Sequence, residues 1–266
     1  MTEQPLWTPS PERAAAANLA RFHAECQPDA SYEDLHRWSI DHPEQFWSAV
    51  WRFCGVIAEP RGVQGSAEPW ETVLEGAERM TPRTAPINGT FAPRWFRGAR
   101  LNFAENLLRF REDHQALVSW NERGRRESLS YSNLAREVCR WQSAFRAAGV
   151  VSGDRIAGYL PNIPEAVIAM LAATSLGAIW SSSSPDFGER AVLDRFGQIQ
   201  PKLLISVESY LYAGKVHDLR PRLAALAAAL PTTERIVLVP YLEDPLEDAI
   251  EIPRAILLED FLSNAP

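Results

Sequence analysis

The chain lacks the short motifs that fix a cofactor or a nucleophile by themselves. It has no G-x-G-x-x-G turn, so the dinucleotide fingerprint is absent. It also has no Walker A loop, no G-x-S-x-G elbow and no H-E-x-x-H pair, which removes the simplest routes to an NTPase, a serine hydrolase or a zinc protease. Cysteine is scarce: Cys26, Cys54 and Cys139 are widely spaced, an odd number with no C-x-x-C pair. A disulfide framework and a zinc site are therefore not expected, and the simplest reading is a reduced, cytoplasmic protein. There is no excess of positive charge. The 27 Lys and Arg residues face 34 Asp and Glu, a net charge of −7, which argues against nucleic acid as a partner while leaving room for a local basic pocket. Long hydrophobic runs are missing too. The longest, Ala166–Trp180, is too short and too punctuated for a membrane span. Glu3, Pro5, Glu12 and Arg13 stand where a signal peptide would need an unbroken apolar segment, so no membrane association is expected. The five histidines, His23, His36, His42, His114 and His217, show no metal-ligand spacing.

What remains is an ordinary globular composition, 46% hydrophobic and 23% charged over 266 residues, long enough for one large domain or two smaller ones. The most regular stretch is Arg155–Ser206. Ile156–Leu160 is a short apolar run ended by Pro161-Asn162, and Pro164 suits the first position of a helix with Glu165 complementing its dipole. The helix Glu165–Leu176 is apolar nearly all round and should be buried, with Gly177 as its stop. Ala178–Ser182 reads as a second strand. Asp186 with Glu189 resembles a capping box for a helix whose Val192, Phe196 and Ile199 share a face, and Lys202–Ser206 supplies a third strand. This rhythm predicts a parallel sheet with right-handed crossovers and flanking helices. The loop Ser181–Phe187 then follows the carboxyl end of a strand, where open α/β sheets place ligands.

Around this unit the pattern is less regular. The first region reads as helical and aromatic: Glu12–Cys26, a short helix capped by Ser31 and Asp34, and a helix from Asp41 whose Phe46, Trp47, Val50, Trp51 and Cys54 form a stripe ending at Gly55. Few strands are available to give it a core of its own. Residues 59–99 carry many prolines and glycines and read as a draped connection. Asn102 and Asn106, four apart, either share a helical face or satisfy backbone groups around a turn. From about Gln115 a hairpin is expected, Ala116–Trp120 with Arg126–Tyr131, followed by a helix capped by Ser132. Glu208–Lys215 reads as a loop, Leu219–Leu230 as a helix, Arg235–Val239 as a last buried strand, and Glu243–Glu251 as an acidic surface loop. The division expected is 1–114 for the helical region and connection, and 115–266 for an incomplete α/β region.

Two places could carry chemistry. The run Ser181–Ser184 invites a nucleophile, but no base is marked unless His217 lies near, and small polar residues after a strand more often admit a ligand to the backbone. Tyr212-Ala213-Gly214-Lys215 offers glycine for close approach and lysine as a point charge for a phosphate; the plain alternative is an exposed lysine beside a turn glycine.

Longer blocks carry a resemblance. Gly158–Val167, GYLPNIPEAV, and Gly177–Ser182, GAIWSS, resemble adenylate-forming acyl-CoA synthetases. Asp41–Trp47, DHPEQFW, and Trp95–Asn106, WFRGARLNFAEN, are similar to the acetyl/acetoacetyl branch. Ser184–Gly188, SPDFG, and Leu193–Ile199, LDRFGQI, resemble the acetoacetate–CoA ligases within it. The resemblance runs from about Tyr32 to the end. It implies the N-terminal part of the adenylate-forming (ANL) fold, preceded by the helical aromatic region. It also implies a two-step acid–thiol ligase: acetoacetate and Mg-ATP give an acyl-adenylate, and coenzyme A then displaces AMP. The implied ligands are coenzyme A, ATP, Mg2+ and acetoacetate. By the same resemblance Lys215, with Tyr212 and Gly214, becomes a contact for the coenzyme A phosphates, and Ser184, Pro185 and Asp186 line the pantetheine path. Tyr212 stands where acetyl-specific relatives carry arginine, and Asp186 replaces a glycine. The family's Ser/Thr/Gly-rich phosphate loop, its adenine and ribose motifs and its adenylation lysine are not found in these residues. The expectation is that the 266 residues alone are not a competent ligase and hold no catalytic or metal-binding residue. The alternative is a non-catalytic module that binds coenzyme A or pairs with a partner chain.

Overall fold

A computed structural model describes residues 5–60, 68–77, 93–242 and 251–263. The chain divides into two compact units, residues 1–101 and 102–266.

In the first unit α1 (Pro11–Ala15) and α2 (Asn18–Cys26) replace the single helix expected over Glu12–Cys26. The chain breaks at Ala16 and Ala17, where the cap of α1 and the extended Ala17 interrupt the ladder. Helix α3 (Tyr32–Asp41) opens with the expected capping box, in which Ser31 and Asp34 satisfy each other's backbone amides. Helix α4 (Pro43–Phe53) follows, and Gly55 adopts φ +57 just past its end. The expectation of a strand-poor region is corrected: β1 (Thr72–Glu75) and β2 (Arg94–Arg97) pair antiparallel. A string of aromatic contacts gives this unit a core of its own. Phe22 meets Phe46 and Phe53 edge-on, and Trp51, Trp70 and Phe96 pack mutually with centroids 4.5–5.1 Å apart. Five of the nine tryptophans (Trp38, Trp47, Trp51, Trp70 and Trp95) are used in such contacts here.

The second unit contains α5 (Phe103–Leu107), the hairpin β3 (Gln115–Asn121) and β4 (Gly124–Ser130), and α6 (Tyr131–Ala147). Asn102 caps α5, accepting from the Glu105 amide at 3.1 Å, and donates to the Thr174 and Ser175 carbonyls at 3.2 Å each. Of the two readings for Asn102 and Asn106, backbone satisfaction is the one observed. Ser130, not Ser132, caps α6; the Ser132 hydroxyl is bonded to Asp113 instead.

The main run is β5 (Arg155–Tyr159), α7 (Pro164–Ser175), β6 (Ile179–Ser183), α8 (Glu189–Ile199), β7 (Leu203–Val207), the hairpin β8 (Ser209–Tyr212) and β9 (Lys215–Asp218), α9 (Arg220–Ala229), β10 (Arg235–Val239), β11 (Ala255–Leu257) and α10 (Leu258–Ser263). Strands β11, β10, β7, β5 and β6 form one sheet in that order, and every pairing is parallel. The expected α/β fold with a parallel sheet and flanking helices is therefore present. The chain steps from β5 to β6 on one side and then back past β5 to β7 on the other. With right-handed crossovers, that reversal puts α7 and α8 on opposite faces and makes the β5/β7 junction the topological switch point. Strand β7 is buried along its whole length, as a central parallel strand requires. Trp141 and Phe145 of α6, the helix that packs against α7, are 1% and 0% exposed. Among the described residues no helix is long and apolar enough to cross a membrane. The acidic loop expected over 243–251 lies, except for Glu251, outside the described residues.

Candidate functional site

All five strands of the sheet run the same way, so the segments after β5, β6, β7 and β10 emerge at one edge. The expected site residues fall into two groups there. Ser184, Pro185 and Asp186 lie on the segment after β6, and Tyr212, Gly214 and Lys215 lie on the hairpin after β7. Among the described residues no hydrogen bond or ion pair joins the two groups.

The segment after β6 is held from below. Pro185 is buried, whereas Ser184 and Asp186 are exposed. Tyr159, at the end of β5, places its hydroxyl 3.0 Å from the Pro185 carbonyl and 2.9 Å from that of Phe187. Arg222 of α9 donates through Nη1 to the same two carbonyls at 2.9 and 3.1 Å and to the Tyr159 hydroxyl at 2.5 Å. One guanidinium nitrogen and one phenol thus fix two carbonyls that no strand or helix ladder satisfies. Burial pushes the Tyr159 hydroxyl above its usual range and outweighs the opposing pull of Arg222, so the phenol stays a donor at neutral pH. The capping box expected from Asp186 and Glu189 is not formed: Gly188 takes the N-cap of α8, and Asp186 accepts the Ser184 hydroxyl instead. Ser183, at the tip of β6, is buried with no hydrogen-bond partner for its hydroxyl among the described residues.

The loop expected over Glu208–Lys215 is mostly hairpin. Tyr212 pairs with Lys215, leaving Ala213 and Gly214 as a two-residue turn with φ of 51° and 72°. Positive φ at both positions is the type I′ geometry that matches strand twist; glycine adopts it freely and alanine at a cost. The amides of both residues point outward onto one carboxylate. Ala213 N–H donates to Glu122 Oε1 at 2.7 Å and Gly214 N–H to Glu122 Oε2 at 2.6 Å. Glu122 sits in the β3–β4 turn, which the Asn121 side chain shapes by accepting from the Arg123 amide at 2.8 Å. Lys215 and Tyr212 are exposed, and no ion pair among the described residues holds the Lys215 ammonium. His217 does not serve the serine run. Its ring stacks on Tyr210 with centroids 4.9 Å apart, and its Nε2 lies 3.3 Å from the Tyr212 carbonyl. At the hairpin's far end Asp218 accepts from the Arg220 side chain at 3.0 and 2.9 Å, which holds its carboxyl below the usual range.

A cleft of about 490 Å3 opens beside the hairpin, lined among others by Arg125, Arg126, Glu127, Glu165, Leu211 and Tyr241. Burial pushes the Glu165 carboxyl up, Glu127 and Glu137 add to the rise, and Arg126 opposes it. Sequence reasoning named neither this cleft nor Glu122, Tyr159 and Arg222. Tyr159 lies in the apolar run Ile156–Leu160, whose pattern signals only a strand. Glu122 and Arg222 carry no local signal, because each acts on a segment tens of residues away.

A parallel sheet with a hairpin and a pinned segment at the carboxyl ends of its strands defines an α/β protein of the class whose ligands commonly sit at that edge. Residues 103–255 match the model of the AMP-binding enzyme family, and residues 32–107 match that of the acetyl-coenzyme A synthetase N-terminus. The chain belongs to the AMP-binding enzyme family. It is 38% identical to an acetoacetyl-CoA synthetase of Danio rerio, over 99% of this chain and 38% of that protein, and 40% identical to an acetoacetyl-coenzyme A synthetase of Rhizobium meliloti, over 98% and 38%. A malonamoyl-CoA synthetase of Penicillium aethiopicum is 36% identical over 89% of this chain and 32% of its own length. Among solved structures, an acetoacetyl-CoA synthetase from Streptomyces lividans superposes with a TM-score of 0.78 at 36% identity, covering 99% of this chain and 38% of that one. The chain therefore spans about 38% of the length of these acetoacetyl-CoA synthetases and corresponds to their N-terminal part.

Proposed function

We propose that this chain supplies the coenzyme A-facing part of an ATP-dependent acid–thiol ligase that converts acetoacetate to acetoacetyl-CoA. The supporting observation is the placement of the Ser184–Asp186 segment and the Tyr212–Lys215 hairpin on one edge of a parallel sheet, with the Lys215 ammonium exposed and unpaired among the described residues. In the reaction a carboxylate oxygen of acetoacetate attacks the α-phosphorus of ATP and pyrophosphate leaves. The thiolate of coenzyme A then attacks the acyl carbon, and AMP leaves with the electrons of the broken C–O bond. Adenylation turns a poor leaving oxygen into a good one, and donors fixed before the reaction stabilise the charge that develops. The residues of this chain would do two things. Lys215 and the hairpin amides meet the phosphates of coenzyme A, and the segment pinned by Arg222 and Tyr159 walls the path of the pantetheine arm. Mg2+ would enter as the companion of ATP. The ATP chemistry is assigned to residues other than these 266, which contain no Ser/Thr/Gly-rich phosphate loop. The ligands are small molecules, and a cytoplasmic setting fits the free cysteines.

Calorimetry with coenzyme A and with its 3′-dephospho form tests the assignment. Coenzyme A should bind more tightly than the dephospho form, and Lys215→Ala should remove most of the difference. Equal affinities, or a difference that Lys215→Ala leaves intact, would overturn it.

A further inference from the structure

The two amides at the tip of the β8–β9 hairpin are already occupied. Adjacent backbone N–H groups in a turn make a ready anion site, and here the anion is intramolecular, the Glu122 carboxylate with one oxygen on each amide at 2.7 and 2.6 Å. We propose that Glu122 is a resident placeholder in this site, which an incoming phosphate displaces, so that Glu122 sets how tightly the hairpin takes phosphorylated ligands. The proposal rests on the reading of the hairpin as the phosphate-facing end of a coenzyme A site.

Several features favour displacement over a permanent tie. Glu122, Ala213, Gly214 and Lys215 are all exposed, so a departing carboxylate enters water and not the core. The carboxylate stands at the tip of a two-residue turn between Asn121 and Gly124, and can swing away without disturbing the β3–β4 register. Lys215 directly follows the two amides, and no ion pair among the described residues, with Glu122 included, holds its ammonium. A phosphate seated on the amides would therefore meet a cation that the carboxylate does not engage. Charge-assisted bonds to a dianionic phosphate are also stronger than those to a single carboxylate. A purely structural tie predicts the opposite consequence of removing Glu122: the hairpin loosens and phosphate binding weakens. The sign of one measurement decides between them.

That measurement uses inorganic pyrophosphate, titrated into the chain and into two variants, Glu122→Gln and Glu122→Asp, while the Ala213 and Gly214 amide resonances are followed. Glu122→Gln removes the charged occupant. Glu122→Asp keeps the charge but shortens the reach by one methylene, which separates occupancy of the amides from repulsion through space. Both variants should bind pyrophosphate about three- to tenfold more tightly than the parent, and without ligand both should show faster exchange at these amides. Unchanged or weaker binding in Glu122→Asp would overturn the proposal, as would amides that ignore the substitution. The outcome is separable from the reading beneath it. If both variants gain affinity for pyrophosphate but coenzyme A does not perturb the hairpin, the placeholder stands and the coenzyme A assignment falls. If coenzyme A perturbs the hairpin with equal affinity in all three proteins, the assignment stands and the placeholder falls.

Discussion

Replacing Tyr159 by Phe removes one oxygen from a completely buried side chain and leaves its packing intact. That oxygen accepts from Arg222 at 2.5 Å and faces the Pro185 and Phe187 carbonyls at 3.0 and 2.9 Å. A hydrogen bond to a charged group is worth about 1.5–3 kcal/mol, and Arg222 keeps its two carbonyl contacts, so the loss should fall near the lower end, about 1.5 kcal/mol. In a domain of this size each kcal/mol moves Tm by about 2–4 °C. Arg222→Met should cost more, because it strips both carbonyls of their cationic donor. The decisive comparison is the double-mutant cycle by urea unfolding, with m-values checked for constancy. Residues in one network couple by about 0.5–3 kcal/mol, and we expect about 1 kcal/mol or more between Tyr159 and Arg222. Protease cleavage between Ser184 and Gly188 should rise in both single variants. Additivity within about 0.5 kcal/mol, or a Tyr159→Phe protein as stable as the parent, would refute the view that these two residues jointly hold the segment.

Gly158→Ala should destabilise by about 1–3 kcal/mol, because the new methyl would lie 2.5 and 2.7 Å from ring carbons of Trp180 and 2.8 Å from a Leu160 methyl; adding Trp180→Leu should restore much of the loss in a thermal melt. The Glu165 carboxyl is pushed up in the folded protein, so its contribution to stability is fully present below the ordinary carboxylate range and is lost as pH rises through the folded value. Glu165→Gln should accordingly melt higher than the parent at pH 7, with the gap closing in acid, and an equal gap at both pH values would contradict this. Asp218 runs the other way. Its carboxyl is held low by Arg220, so its contribution is present above the ordinary Asp range and is lost as pH falls through the folded value. Asp218→Asn should cost about 0.5–1 kcal/mol at neutral pH, limited by its partial exposure, and much less in strong acid.

The central βαβαβ unit was legible because each of its signals was local: the Pro164 start, the Gly177 stop, and the Val192 and Phe196 spacing are all read within a few residues, and each recurs in the structure. The β8–β9 hairpin was missed because Ala213 and Gly214 are an unusual type I′ pair; Asn-Gly would have announced the turn, whereas Ala-Gly does not. The β1–β2 pairing joins residues about twenty or more apart, Thr72 to Arg97 and Glu75 to Arg94, across a proline-rich stretch, where no short-range pattern points from one strand to the other. Asp186 misled for a physical reason. An acid three residues before a glutamate looks like a cap, but its short side chain is taken by Ser184 first, and Gly188 begins the helix without help. At the site itself, residue types in loops suggested Lys215 and Ser184. What the sequence could not show is that the surroundings of those loops are set by Glu122, Tyr159 and Arg222, which approach from other elements.

The claim that this sheet edge receives coenzyme A is tested most directly by titrating the isotopically labelled chain with coenzyme A and mapping the perturbed amides. Shifts should concentrate at Ser184–Phe187 and at Tyr212–Lys215 and be weakened together by Lys215→Ala. Shifts confined to other segments, or none in either segment at millimolar coenzyme A, would contradict it.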